Sequence, residues 1–274
     1  MATTYNNLYL DTRKRLRAHG VEMAQLEARE LVCFAADKTR EQFFRDLPLY
    51  ASKEVENRVE ELTERRLAGE PVAYIIGEWE FYGLPLDISR DVIIPRSDTE
   101  TLAERAILLA KAAGEGARVL DLCAGSGCVG LAVAANAPNC RVVLADLSEG
   151  ALRVCKQNVR RNSLNARVTC VQADALAAPS ASLWDFDVIV CNPPYGERIE
   201  EKENLPALYR EIGERFAALD AWSMYLITSY EDAQKYIGRK ADKNRKIYNG
   251  MLKTYFYQFM GPKPPRRSQE NGSN

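Results

Sequence analysis

The sequence predicts an α/β protein with a mostly parallel sheet, preceded by a small N-terminal helical bundle. Three observations lead there. The first 70 residues carry helical periodicity and no strand signal. From Val119 onward, short β-branched runs alternate with helical stretches. The first two of those runs end in polar features suited to ligands, a glycine turn after Asp121 and a carboxylate, Asp146. Alternation of this kind implies parallel strands with ligands at their C-terminal ends.

Within residues 1–70, Tyr5 to His19 places Leu8, Thr12 and Leu16 on one stripe, with Gly20 as a C-terminal cap. Glu22 to Ala36 repeats the pattern through Leu26, Leu31, Val32 and Ala35. Thr39 can cap a short helix holding Phe43 and Phe44. Ser52 can cap a longer one with Val55, Val59, Leu62 and Leu67 facing inward and Gly69 at its end. Residues 71–96 turn aromatic and β-branched, with Gly77 and Gly83 as punctuation, and read as a hairpin-like linker. Ser97 to Glu100 has the residues of a capping box and opens a helix to Gly114.

Strands are then expected at Val119-Leu120, Val142–Leu144, Val168–Gln172 and Phe186–Cys191, with helices at Val129–Ala135 and from Ser148 to Asn162. The last part reads as helix Leu205–Phe216, strand Ser223–Thr228, helix Glu231–Ile237 and strand Leu252–Phe259. Residues 97–261 form one α/β domain by this reading, and the Pro- and Arg-rich 262–274 a disordered tail.

Composition narrows the classes. Hydrophobic residues make up 46% and charged ones 27%, and the net charge is -1, so no global basic field points to nucleic acid. The seven cysteines form no CxxC pair and His19 is the only histidine, which argues against a zinc site or a disulfide framework. No metal is expected. Reduced thiols, no signal peptide and no long apolar run point to the cytoplasm, off the membrane.

Two features speak for an adenosine-bearing cofactor. Asp121-Leu122-Cys123-Ala124-Gly125-Ser126-Gly127 closes a strand and opens a helix, and its glycines let backbone approach a ligand. The plain alternative is a tight turn with no ligand, and the glycines alone do not separate a nicotinamide dinucleotide from S-adenosylmethionine. Asp146 ends the next strand, where a carboxylate can accept hydrogen bonds from both ribose hydroxyls.

The third feature chooses between cofactors. In Asn192-Pro193-Pro194-Tyr195 the prolines end the strand, which presents the Asn192 side-chain oxygen and the Pro193 carbonyl as fixed acceptors. Two acceptors aimed at an NH2 group hold it in plane and turn its nitrogen toward a methyl donor, while Tyr195 can pack over the flat group. Hydrogen bonds that strengthen as charge develops on that nitrogen favour the transition state. These residues predict an S-adenosylmethionine-dependent N-methyltransferase with a Rossmann-like, class I fold.

Gly69-Glu70-Pro71-Val72-Ala73-Tyr74-Ile75-Ile76-Gly77, then Phe81-Tyr82-Gly83, then Ile93-Ile94-Pro95-Arg96-Ser97-Asp98-Thr99-Glu100 resemble the peptide chain release factor glutamine methyltransferases, the HemK/PrmC family. The resemblance runs from residue 1 to about 195. It implies that the helical bundle helps dock a release factor and that Cys123 to Gly127, Asp146 and the Asp174-Ala175 turn hold the cofactor. It also implies that Asn192 to Tyr195 grip the glutamine of a GGQ loop, giving N5-methylglutamine, and the protein is expected to act as a monomer.

After Tyr195 the pattern changes. Gly196-Glu197-Arg198, Leu208-Tyr209-Arg210-Glu211 and Arg245-Lys246-Ile247-Tyr248-Asn249-Gly250 resemble rRNA guanine-N2 methyltransferases, so the chain reads as a chimera joined at a shared motif. The basic run Arg239 to Lys246 reads as a solvated loop between two strands, with RNA phosphate contact as the alternative. Three rivals stay open: an rRNA guanine-N2 methyltransferase, a fusion that binds the cofactor without turnover, and a nicotinamide-dependent oxidoreductase.

Overall fold

The computed structural model describes residues 3–174, 186–193, 204–217, 223–249 and 252–261. Pro194, Tyr195, Ala175, the Gly196-Glu197-Arg198 stretch and the 262–274 tail lie outside them. The chain divides into two compact units, Met1–Trp79 with Ile88–Arg90, and Glu80–Asp87 with Asp91–Asn274.

The first unit is a helical bundle: α1 (Tyr5–Ala18), α2 (Ala24–Ala35), α3 (Arg40–Asp46), α4 (Lys53–Leu67) and α5 (Val72–Ile76). Leu16, Leu31, Val32, Phe43, Val59 and Leu62 form its core. The Thr39 hydroxyl accepts from the Gln42 N–H, and the Gln42 side chain accepts in return from the Thr39 N–H, a complete capping box. Ser52 caps α4 through the Val55 N–H.

Two sequence expectations fail around residue 75 and at residue 97. Tyr74-Ile75-Ile76 belongs to a helix and not to a hairpin-like linker. Pro71 starts α5, Gly77 ends it in the left-handed region, and Val72 and Ile75, three residues apart, are both buried in the bundle core. Burial on one helical face overrides the β preference of these side chains. The capping box at Ser97–Glu100 is also absent. Ser97–Thr99 is a single 3-10 turn, α6 starts at Glu100, and the Glu100 carboxylate accepts instead from the Tyr82 N–H at 3.0 Å.

A hairpin does form just downstream of α5, from β1 (Glu78–Phe81) and β2 (Leu84–Asp87). Tyr82 and Gly83 turn it with φ of 51° and 76°, the paired positive values of a type I′ turn.

The second unit carries a seven-stranded sheet. Its strands are β3 (Arg118–Leu122), β4 (Arg141–Asp146), β5 (Val168–Gln172), β6 (Val188–Cys191), β7 (Met224–Thr228), β8 (Lys243–Asn249) and β9 (Leu252–Phe259), in the order β5-β4-β3-β6-β7-β9-β8. The first five in that order run parallel, and β9 and β8 complete the sheet antiparallel to their neighbours. Among the described residues, the helices of this unit are α6 (Glu100–Ala113), α7 (Cys128–Asn136), α8 (Glu149–Arg161), α9 (Leu205–Ala217) and α10 (Ala233–Ile237). This is the mostly parallel, doubly wound α/β sheet that the alternation predicted.

One further expectation is corrected here. Lys243–Asn249, read from sequence as part of a solvated loop, is the edge strand β8, paired with β9 from Lys243↔Gln258 to Asn249↔Leu252. The buried β9, rich in Tyr and Phe, supplies the ladder that a polar strand would not form by itself.

Candidate active site

Strand order decides where the site lies. Chain connections diverge on either side of β3, with β4 on one flank and β6 on the other, and a crevice opens at such a switch point beyond the strand ends. The register brings Leu122 level with both Ala145 and Cys191. Hence Cys123, Asp146 and Asn192 all emerge at one edge of the sheet.

The turn after β3 is built around its conformation. Cys123, Gly125 and Gly127 have φ of 57°, 56° and 81°. A Cβ on Gly125 would meet nothing within 4 Å, whereas one on Gly127 would lie 3.0 Å from Cys155 Sγ and from Leu144 Cδ1. Gly125 therefore faces open space, where backbone can approach a ligand, and Gly127 is needed for packing beneath the turn. Ala124 N–H donates to the Ala145 carbonyl at 3.0 Å, pinning the turn to the end of β4.

Asp146 braces the same turn. Its Oδ2 accepts from the Gly125 N–H and its Oδ1 from the Ser148 N–H, both at 2.9 Å. Each oxygen keeps a lone pair for a further donor. Asp174 is exposed close by, since the preceding Ala173 N–H donates to the Asp146 carbonyl at 3.1 Å. Asp121 and Ser126 sit lower, each 2% exposed. Asp121 accepts from the Gly130 N–H at 2.8 Å. Burial pushes its carboxyl up to about 7 against that hydrogen bond, and nearby Asp146 adds to the rise.

Asn192 and buried Pro193 follow directly on β6. The Asn192 Oδ1 is buried, and no donor among the described residues reaches it. A buried acceptor left unpaired costs about 1–3 kcal/mol, and such atoms cluster where a ligand completes them. Just below, the Cys191 and Cys123 thiols touch; that hydrogen bond, with burial, holds the Cys191 thiol well above the usual range.

Sequence reasoning missed two neighbours. Asn158 of α8 is fully buried and joins β2 to the turn: its Nδ2 donates to the Ser126 carbonyl at 3.0 Å and to the Asp87 carbonyl at 3.1 Å, and its Oδ1 accepts from the Asp87 N–H. Its signal was a polar residue on the stripe of Leu152, Cys155 and Val159. Leu147, 64% exposed directly after Asp146, is an apolar side chain on the rim of the crevice. No cluster of three metal-ligating side chains occurs among the described residues, and none of their helices is long and apolar enough to cross a membrane.

A doubly wound sheet with a glycine turn, a carboxylate and an unpaired amide oxygen at one edge defines a class I methyltransferase fold. Residues 100–258 match the family described as RMKL-like, methyltransferase domain, and residues 7–77 match the PrmC N-terminal domain. The release factor glutamine methyltransferase of Moorella thermoacetica is 38% identical over 182 residues, 66% of this chain and 63% of that protein. Its counterpart from Thermodesulfovibrio yellowstonii is 32% identical over 214 residues, 77% of this chain and 75% of its own. A solved structure described as a possible methylase from Clostridium difficile 630 shares the fold, with a TM-score of 0.52 at 24% identity over 97% of this chain and 83% of that one. The chain belongs to the release factor glutamine methyltransferase family, and residues 100–258 also match the RMKL-like domain. The matched stretch spans less than two-thirds of the Moorella relative.

Proposed function

We propose that this protein transfers a methyl group from S-adenosylmethionine to the side-chain amide nitrogen of the glutamine in the GGQ motif of peptide chain release factors, in the cytoplasm. The observation that carries the reading is the buried, unpaired Oδ1 of Asn192 at the strand edge shared with Cys123 and Asp146. It is an acceptor awaiting an N–H donor.

The residues present fit the cofactor. Asp146 retains acceptor capacity for ribose hydroxyls, and the open side of Gly125 admits a ligand against the backbone. In this reading the turn Asp121, Cys123, Ala124, Gly125, Ser126, Gly127, with Asp146, Asp174, Ala175 and Asn192, forms the cofactor side. Asp121 and Ser126 act from below by shaping the turn. S-adenosylmethionine, when bound, supplies the electrophilic methyl.

Asn192, Pro193, Pro194 and Tyr195 form the acceptor side. The Asn192 Oδ1 and the Pro193 carbonyl accept from the two amide protons, which orients the nitrogen and gains strength as positive charge grows there. Holding nitrogen and methyl near attack distance contributes several of the ~7–11 kcal/mol that ideal alignment can supply. Asn192 and Pro193 would hold the amide nitrogen toward the methyl that the bound cofactor would supply, and the proton lost from that nitrogen would pass to water.

The match of residues 100–258 to the RMKL-like domain favours a second reading, methylation of the exocyclic amine of an rRNA guanine. Labelled S-adenosylmethionine offered with purified release factor, or with deproteinised rRNA, separates them. Label in release factor supports the first reading and label in rRNA alone the second. Label in neither would indicate a cofactor-binding chain without turnover.

A further inference from the structure

The edge strand β8 and the turn before it are rich in cations. Arg239, Lys240, Lys243, Arg245 and Lys246 lie within eight residues, against the single carboxylate of Asp242, in a chain whose net charge is -1. Of the five, Arg239 holds Asp242 at 3.0 Å, and Glu231 is held by Lys253 of β9. Lys240, Lys243, Arg245 and Lys246 form no salt bridge among the described residues and are exposed. Tyr248, two residues beyond Lys246, is 67% exposed.

The register locates this strip. Cys191 is level with Leu226, Leu226 with Tyr257, and Tyr257 with Asn244. One step on, Arg245 is level with Asn192 and Lys246 with Pro193. Three strand spacings, about 14 Å, separate β8 from β6. Side chains alternate, so Lys243 and Arg245 stand on one face of the edge strand and Lys246 and Tyr248 on the other. Cations straddle an open sheet edge that ends in an exposed aromatic ring, at the level of the acceptor residues.

We propose that the β8 edge is a binding strip for the phosphate backbone of single-stranded RNA, with Tyr248 as a stacking surface for a base. RNA here is a partner held beside the site and not the methyl acceptor, so the inference does not rest on the release factor reading. Cations that follow a backbone together with an aromatic face are the elements of sequence-tolerant single-strand recognition. An acidic protein surface would use the charges but leave the ring without a role.

The test measures fluorescence anisotropy of a labelled oligouridylate of about 12 nucleotides with the full chain at about 50–200 mM salt. Three phosphate contacts predict a slope of log K against log salt of about -2, from ~0.7 per phosphate. The triple variant Lys243→Gln, Arg245→Gln, Lys246→Gln is expected to bind at least ~10-fold more weakly at the low-salt end and to flatten the slope. Tyr248→Ala is expected to weaken binding ~5-fold or more with the slope unchanged. Lys243→Arg with Lys246→Arg keeps the charge and is expected to bind as wild type. Methylation of free release factor by the triple variant is expected at the wild-type rate, which separates this strip from the catalytic reading. Unchanged RNA binding by the triple variant overturns the proposal. So does displacement of RNA by polyglutamate at equal charge with no effect of Tyr248→Ala, which would assign the strip to an acidic protein.

Discussion

The Thr254 hydroxyl in β9 donates to Asp98 Oδ2 at 3.0 Å, and both residues are buried, at 0% and 4% exposure. Asp98 lies in the turn that precedes α6, and Thr254 follows 156 residues later in β9, both within the second unit. The hydrogen bond therefore ties the segment that opens α6 to a strand of the sheet.

Removing that donor should be costly. Thr254→Val keeps the shape and leaves Asp98 short of a buried partner, with an expected loss of about 1–3 kcal/mol in urea unfolding. In a double-mutant cycle with Asp98→Ala, a coupling below about 0.5 kcal/mol would show that the contact carries little.

Asn192→Ala deletes the unpaired acceptor while leaving Asp146 and the glycine turn in place. Methyl transfer should fall by about 10²-fold or more, the scale seen when one preorganised transition-state hydrogen bond is removed. Calorimetric titration should show the cofactor affinity little changed. Unaltered turnover would take Asn192 out of the reaction.

Asp121 gives a pH signature. Its carboxyl is raised to about 7 in the fold, compared with about 3.9 for an exposed aspartate. Between those values the folded state binds more protons than the unfolded chain, so stability falls as pH rises. The contribution is complete below about pH 4 and lost as pH passes through about 7. Asp121→Asn still offers an acceptor to the Gly130 N–H and does not titrate. Its Tm should exceed that of the wild type near pH 8, and the gap should close toward pH 4. A gap independent of pH would contradict the raised carboxyl.

Gly130 packs where a side chain has no room: a Cβ there would lie 2.2 Å from Leu144 Cδ2 and 3.0 Å from Asp121 Oδ2. Gly130→Ala is expected to cost about 1–3 kcal/mol by overpacking. Leu144→Ala in the same chain should recover part of that loss, which thermal unfolding of single and double variants can check.

Much of this protein was legible along the chain. Helical stripes marked α1, α2 and α4, and Thr39 and Ser52 announced the caps of α3 and α4. β-branched runs located β3 to β7, and the turn at Cys123 to Gly127, Asp146 and Asn192 stood out by residue type. Those signals are local, because periodicity, capping and turn chemistry act within a few residues.

What the tertiary structure decided depended on partners distant in sequence. Val72 and Ile75 became helical because the bundle buries that face, and Lys243–Asn249 became a strand because β9 lies beside it. Asn158 was a helix residue until Asp87 and Ser126 arrived to be bridged, 71 and 32 residues away in the chain. The sequence by itself singled out the groups proposed to hold a cofactor and an amide. The fold determined that Cys123, Asp146 and Asn192 share one edge, and that the Asn192 oxygen is buried with no donor among the described residues, since burial and register belong to the folded chain alone.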